Sequence, residues 1–129
     1  SLPPVVPVLR SFDERKAKEF YVDFLGFAVT FEHRFDDNAP LYMGLRRGDV
    51  VLHVSEHFGD ACPGAAIRIR IEDLSDYCEA LRDKDYKYVR PGAPEERPWG
   101  GKELSIQDPF GNRLTLVDAP RRESQEPAV

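Results

Sequence analysis

The sequence is short of the residues on which several common chemistries depend. Its 129 residues include only two cysteines, Cys62 and Cys78, in no C-x-x-C or Cys/His spacing. A zinc knuckle is therefore not expected, and two free thiols in a reducing cytoplasm are. Positive charge is in deficit: 18 Lys and Arg against 23 Asp and Glu give a formal net charge of −5. Broad binding to a phosphate backbone needs a basic face, so no nucleic-acid partner is expected, and a cationic ligand gains a weak, salt-screened advantage. No apolar run approaches the roughly 20 residues that cross a bilayer, so no membrane partner is expected. Ser1 to Val8 is apolar but short and without a basic start, unlike a secretory signal. G-x-S-x-G, P-loop and G-x-G-x-x-G motifs are missing too, and no pair of carboxylates stands at a spacing that nominates acid–base chemistry. No catalytic residue is named on this basis.

What is present fits one globular domain, with 41% hydrophobic and 32% charged residues. Val5 to Leu9 reads as a strand. Ser11 and Glu14 have capping-box spacing, which predicts a helix beginning at Ser11 with a stripe at Ala17, Phe20, Tyr21, Phe24 and Leu25, closed by Gly26. Phe27 to Phe35 alternates, with Val29, Phe31, His33 and Phe35 expected on one face. Leu41 to Arg46 and Val50 to Ser55 complete a predicted three-stranded meander, and Gly59 to Gly64 is the candidate linker.

The order of elements then repeats. Ala66 to Ile71 is a predicted strand, Asp73 a cap for a helix bearing Leu74, Tyr77, Cys78 and Leu81, and Tyr86 to Val89 a short strand. Pro91 to Gly101 is a Pro/Gly-rich loop holding the one tryptophan, Trp99. Leu104 to Gln107 and Arg113 to Val117 flank the turn sequence Asp108-Pro-Phe-Gly-Asn112. Arg10 to Val29 and Arg70 to Val89 align without a gap, by pattern more than by identity. The fold class that follows is α+β, with two βαβββ modules at about 4–58 and 65–118 in a single domain over residues 1–118, and a disordered tail at 119–129.

Strand parity divides the side chains. Leu52, Val54, Ile67, Ile69, Ile71, Leu104, Ile106, Leu114 and Leu116 are expected to be buried against the helices. The opposite face then carries Val51, His53, Ser55, Arg68, Arg70, Glu103, Ser105, Gln107, Arg113 and Thr115. His53 there reads as a ligand hydrogen-bonder or weak base, as an ordinary polar residue, or, with Glu56 and His57, as part of a metal site. Phe31, Phe35 and Tyr42 are candidate aromatic walls, with core packing the other reading of the two phenylalanines.

Three local motifs carry a family resemblance. They are Val6-Pro-Val-Leu-Arg10 followed by Lys18-Glu-Phe-Tyr-Val-Asp-Phe-Leu-Gly-Phe27; Gly48-Asp-Val-Val-Leu-His-Val54; and Pro98-Trp-Gly-Gly101 followed by Asp108-Pro-Phe-Gly-Asn112. In this order they resemble the glyoxalase / bleomycin-resistance / dioxygenase (vicinal oxygen chelate) superfamily, the third being similar to the bleomycin-resistance branch. The resemblance implies a dimer whose concave mixed sheet cups a ligand. It places Trp99 at the rim of that cup, where it would stack on a planar or cationic ligand; otherwise Trp99 plugs its loop onto the sheet. Superfamily enzymes hold a divalent metal at four strand positions, which map here to Val6, His53, Ala66 and Thr115. Only His53 is a good ligand, so neither a metal nor another cofactor is expected. The resemblance thus implies a cytoplasmic, homodimeric, metal-free protein that sequesters a small molecule such as a bleomycin-like glycopeptide and confers antibiotic resistance. Two alternatives remain. One is a metal-dependent lyase, isomerase or dioxygenase with a displaced site around His53. The other is a sensor that forks Arg68 and Arg70 onto an anionic ligand. Bleomycin-binding relatives tend to be apolar or aromatic at those two positions; here the arginines pair with carboxylates such as Glu103 or meet an anion.

Overall fold

The computed structural model describes residues 5–119. They form two units: the described residues up to Ile67 together with Gln107–Arg113, and Arg68–Ile106 with the described residues from Leu114 onward.

In the first unit, β1 (Val8–Arg10) leads into helix α1 (Glu14–Lys18), which continues as a π-helical turn over Glu19–Phe24. Three strands follow: β2 (Ala28–His33), β3 (Tyr42–Arg47) and β4 (Val50–Ser55). They form a sheet in the order β1-β4-β3-β2, with β1 parallel to β4 and the other pairs antiparallel. The expected cap is corrected by one turn geometry: Asp13, not Ser11, caps the helix, its carboxylate accepting from the Lys16 N–H at 2.9 Å. Ser11 is unavailable because its N–H extends the β1 ladder to the Ser55 carbonyl, at 2.8 Å. The π turn is marked by Leu25 N–H donating back five residues to the Phe20 carbonyl, at 2.9 Å. That wider turn lets Phe20, Tyr21, Phe24 and Leu25 all be buried, and each such side chain removed from water contributes roughly 1.5–3 kcal/mol.

A second correction concerns β2. Val29 pairs with Leu45 but Phe31 pairs with Gly44, so Thr30 is an extra residue, a β-bulge. The expected single face of Val29, Phe31, His33 and Phe35 is therefore split. Val29 points with Leu45, and Phe31 and His33 point the other way, beside Gly44 and Tyr42. Lys18 of α1 pairs with Glu32 at 2.9 Å, which fixes Glu32 on the helix side. β2 is also the sheet edge, and all six of its residues are exposed.

The second sheet consists of β5 (Ala66–Glu72), β6 (Glu95–Glu96), β7 (Lys102–Gln107) and β8 (Arg113–Ala119) in the order β5-β8-β7-β6, with α2 (Leu74–Asp83) between β5 and β6 in the chain. This is the strand order of the first sheet, so the module is used twice. Asp73 precedes α2 with a left-handed φ of 52° and makes no side-chain cap. Asp118 of β8 serves instead, accepting from the Leu74 N–H at 3.3 Å. The expected strand at Tyr86–Val89 is not formed. Asp85 turns left-handed after α2, and residues 86–89 close a turn with Val89 N–H on the Tyr86 carbonyl, at 3.3 Å. The strand place is taken by Glu95–Glu96, inside the stretch read as loop, through pairing of Glu95 with Glu103 and Glu96 with Lys102. Ala119 closes β8, and the tail expected beyond it lies outside the described residues.

Candidate functional site

Each sheet presents one chemically distinct face. In the first unit, Met43, Leu45, Leu52 and Val54 alternate inward and are buried. Their strand neighbours point the other way: Gly44 lies opposite both Phe31 and His53, and Tyr42 lies opposite His33 and Ser55. Register alone thus gathers Phe31, Tyr42 and His53. The Phe31 and Tyr42 rings stack at 6.1 Å, and the Phe31 edge meets the His53 imidazole at 5.2 Å. The Tyr42 hydroxyl and His53 Nδ1 share a hydrogen bond of 2.7 Å. Burial, and then the negative charge of Asp60, push the Tyr42 phenol up.

The aromatic set extends to Phe35, which is 79% exposed and meets His33 at 5.1 Å and His57 at 5.9 Å. The chain's three histidines thus all lie against this set. Ser55 is buried, its hydroxyl taken up by Asp60 at 2.7 Å and by the His57 N–H at 3.0 Å.

In the second unit the organising group is Glu103. It is only 4% exposed and carries a charge, which burial makes costly without partners. Arg68 donates to Glu103 Oε2, the Trp99 indole N–H donates to the same oxygen at 3.1 Å, and Arg97 lies 3.6 Å from Oε1. Arg68, and then Trp99, hold the carboxyl below its usual range. Arg68 is paired with Glu103. Arg70 is exposed, two residues along the same face.

Trp99 sits at the tip between β6 and β7. Gly100 and Gly101 both have positive φ, 98° and 83°, a reversal that side-chain-bearing residues resist. Arg97 N–H closes the tip on the Gly101 carbonyl at 3.0 Å. The ring remains 69% exposed, so Trp99 does not plug its loop; the indole N–H holds it while its faces stay open. Ser105 and Thr115 share a hydrogen bond of 2.9 Å, and Arg113 is exposed with its backbone N–H on the Ala65 carbonyl. Arg97, Thr30 and Gly44 were missed by parity. The bulge has no letter of its own, and only a glycine facing an aromatic across two strands hinted at it.

A family model described as glyoxalase superfamily protein matches residues 2–123. The chain belongs to the glyoxalase superfamily. Among solved structures of the superfamily fold, one similar to this chain is a bleomycin-binding protein complexed with bleomycin. It is 29% identical with a TM-score of 0.67, over 92% of this chain and 99% of that one. A second is a bleomycin resistance determinant encoded on the transposon Tn5, 28% identical with a TM-score of 0.69, over 91% and 98%. A third is the bleomycin-binding protein from bleomycin-producing Streptomyces verticillus complexed with copper(II)-bleomycin, 29% identical with a TM-score of 0.63, over 92% and 98%. A search of the curated proteins finds no match.

The four positions at which superfamily enzymes hold a metal do not fit one here. Val6 and Ala66 offer no donor atom, the Thr115 hydroxyl is engaged with Ser105, and Nδ1 of His53 is engaged with Tyr42. A catalytic divalent ion takes about three protein ligands, and this set supplies at most one.

Proposed function

We propose that this superfamily member binds and sequesters a planar, polar small molecule of the bleomycin type, without a metal and without chemical conversion. The observation that carries the reading is the Phe31–Tyr42–His53 face, where aromatic surface surrounds an imidazole held at Nδ1 by a hydrogen bond. Such a combination supplies apolar burial for affinity and a polar group for orientation. Trp99, held at its indole N–H with its faces exposed, is a second stacking surface, and Arg68, Arg70, Ser105 and Arg113 are candidate polar contacts. The identities of 28–29% to bleomycin-binding and bleomycin-resistance proteins support the same ligand class. In this reading the protein is a homodimer that confers resistance by holding the drug stoichiometrically.

Titration of the purified protein with metal-free bleomycin, followed by Trp99 fluorescence and calorimetry, tests the proposal. Saturable quenching at micromolar ligand with one site per chain supports it. No heat and no quenching overturns it. Elemental analysis is the second arm: a near-stoichiometric transition metal that is lost in His53→Ala would replace sequestration with metal-dependent catalysis.

A further inference from the structure

The aromatic face of the first sheet depends on a backbone irregularity. Simple alternation along β2 would put Phe31 on the same side as Val29, opposite Met43 in the buried layer. Thr30 interrupts that alternation, and Phe31 instead lies opposite Gly44. Gly44 is buried, and the Phe31 ring occupies the space where a side chain would begin. A methyl group there would stand 2.7 Å from Phe31 Cδ1, closer still to Cε1, and 2.6 Å from Thr30 Oγ1. The ring rests on bare backbone, and from that position it stacks on Tyr42 and presents its edge to His53.

We infer that Thr30 and Gly44 act together as positioning residues: the bulge turns Phe31 onto the ligand face, and the glycine lets its ring come close over the backbone with its edge at His53, admitting a planar ring over the imidazole. The inference deepens the proposed sequestration of a planar ligand and rests on it for the ligand, but not for the geometry. Phe31 is 43% exposed, so burial alone does not hold it in place. A Cβ at position 44 lifts the ring away from the sheet and into the space a flat ligand would fill. Thr30, exposed at the bulge, can turn its hydroxyl aside; the phenyl ring cannot move without leaving His53.

The experiment uses Gly44→Ala, Phe31→Ala and the double variant, each read in two ways. In the ligand-free protein, the ring current of Phe31 shifts the His53 imidazole protons in NMR spectra. Gly44→Ala should move those signals toward their positions in Phe31→Ala, with the rest of the sheet unchanged. With metal-free bleomycin, Gly44→Ala should weaken binding about tenfold, the scale of one aromatic contact. In the Phe31→Ala background, adding Gly44→Ala should change neither readout, because the ring it displaces is gone. An equal loss from Gly44→Ala with and without Phe31 would mean a general backbone effect and would overturn the inference. Unmoved His53 signals in Gly44→Ala would overturn it as well. Failure of the wild-type protein to bind bleomycin would remove the proposed function, while the ligand-free spectra would still decide the positioning role.

Discussion

Replacing Tyr21 by Phe tests how the first unit holds its turn at residues 107–113. Tyr21 is fully buried, and its hydroxyl donates to Asp108 Oδ2 at 2.6 Å. Asp108 accepts three further bonds: from the Asn112 side-chain amide at 2.8 Å on the same oxygen, and from the Asn112 and Phe110 N–H groups at 2.8 and 2.9 Å on Oδ1. The Asn112 amide also reaches the Arg10 carbonyl, at 2.9 Å, tying the turn to β1. Tyr21→Phe keeps the ring packing and deletes one of the four bonds to a buried carboxylate. A hydrogen bond to a charged group is worth roughly 1.5–3 kcal/mol, so a loss of about 2 kcal/mol is expected. Asp108→Asn, which sets an amide against two N–H donors, should cost more, about 3 kcal/mol. In the double variant the costs should fall short of their sum by about 1–2 kcal/mol, since the two groups share one bond.

The pH dependence of the same pair sharpens the test. Burial, and then the Asp108 charge, raise the Tyr21 phenol well above its ordinary range in the folded state. The unfolded chain therefore releases the Tyr21 proton near pH 10 while the folded chain retains it. In that window the folded state holds more protons, so stability is intact below about pH 10 and falls as pH rises, by up to about 1.4 kcal/mol per unit. Urea unfolding of wild type and Tyr21→Phe between pH 7 and 11 measures this. The difference between them should shrink above pH 10. Parallel alkaline limbs, or a cost below about 0.5 kcal/mol at pH 7, would refute the account of a buried, charge-assisted bond.

Leu52→Ala and Leu114→Ala, each removing a fully buried side chain, should each cost about 2–5 kcal/mol in urea unfolding. Lys18→Ala, which breaks ion pairs to Glu14 and Glu32 at the surface, should cost no more than about 1 kcal/mol, and less in high salt. Tyr42→Phe deletes the hydrogen bond at His53 Nδ1, so the nitrogen-15 signals of that imidazole should shift while the melting temperature holds. Glu103→Gln should free the indole of Trp99 and raise its fluorescence quenching by acrylamide. The Glu103 carboxyl is held low by Arg68, so its contribution is present at neutral pH and lost on acidification below the ordinary carboxylate range; the variant's acid limb should lack that step.

Much of this arrangement was legible in the sequence because it follows from periodicity. Alternation in Val50–Ser55 placed Leu52 and Val54 in the core and His53 on the opposite face, and the register confirms that division. The doubled order of elements read from the sequence appears as the same strand order in both sheets. Reading failed where non-local pairing outweighs local signal. Ser11 has a capping-box partner at Glu14, yet its N–H is taken by Ser55, a contact 44 residues away in sequence. Tyr86–Val89 has strand-forming side chains, but Asp85 leaves α2 in a left-handed conformation and the next residues turn. Glu95–Glu96 has poor strand propensity and becomes a strand because Glu103 and Lys102 stand opposite.

The two modules also show how one topology is given two chemistries. Both sheets place an edge strand, β2 or β6, beside a central one, so an edge residue and the residue opposite it on the neighbouring strand become the natural site pair. In the first sheet that pair is Phe31 and Gly44, where the absence of a side chain on the central strand lets an aromatic ring approach the backbone. In the second it is Glu95 and Glu103, where the central strand supplies a buried carboxylate and the tip beyond the edge strand supplies Trp99 and Arg97 to satisfy it. An aromatic is thus held on one sheet by fit against backbone and on the other by a hydrogen bond to a charge. The first mode is insensitive to pH and to salt, and intolerant of a single added methyl group. The second is weakened once the carboxylate is protonated. Ligand affinity that falls on acidification together with release of Trp99 would locate the pH-sensitive part of binding in the second sheet, whereas a loss on acidification that persists in Glu103→Gln would refute that assignment.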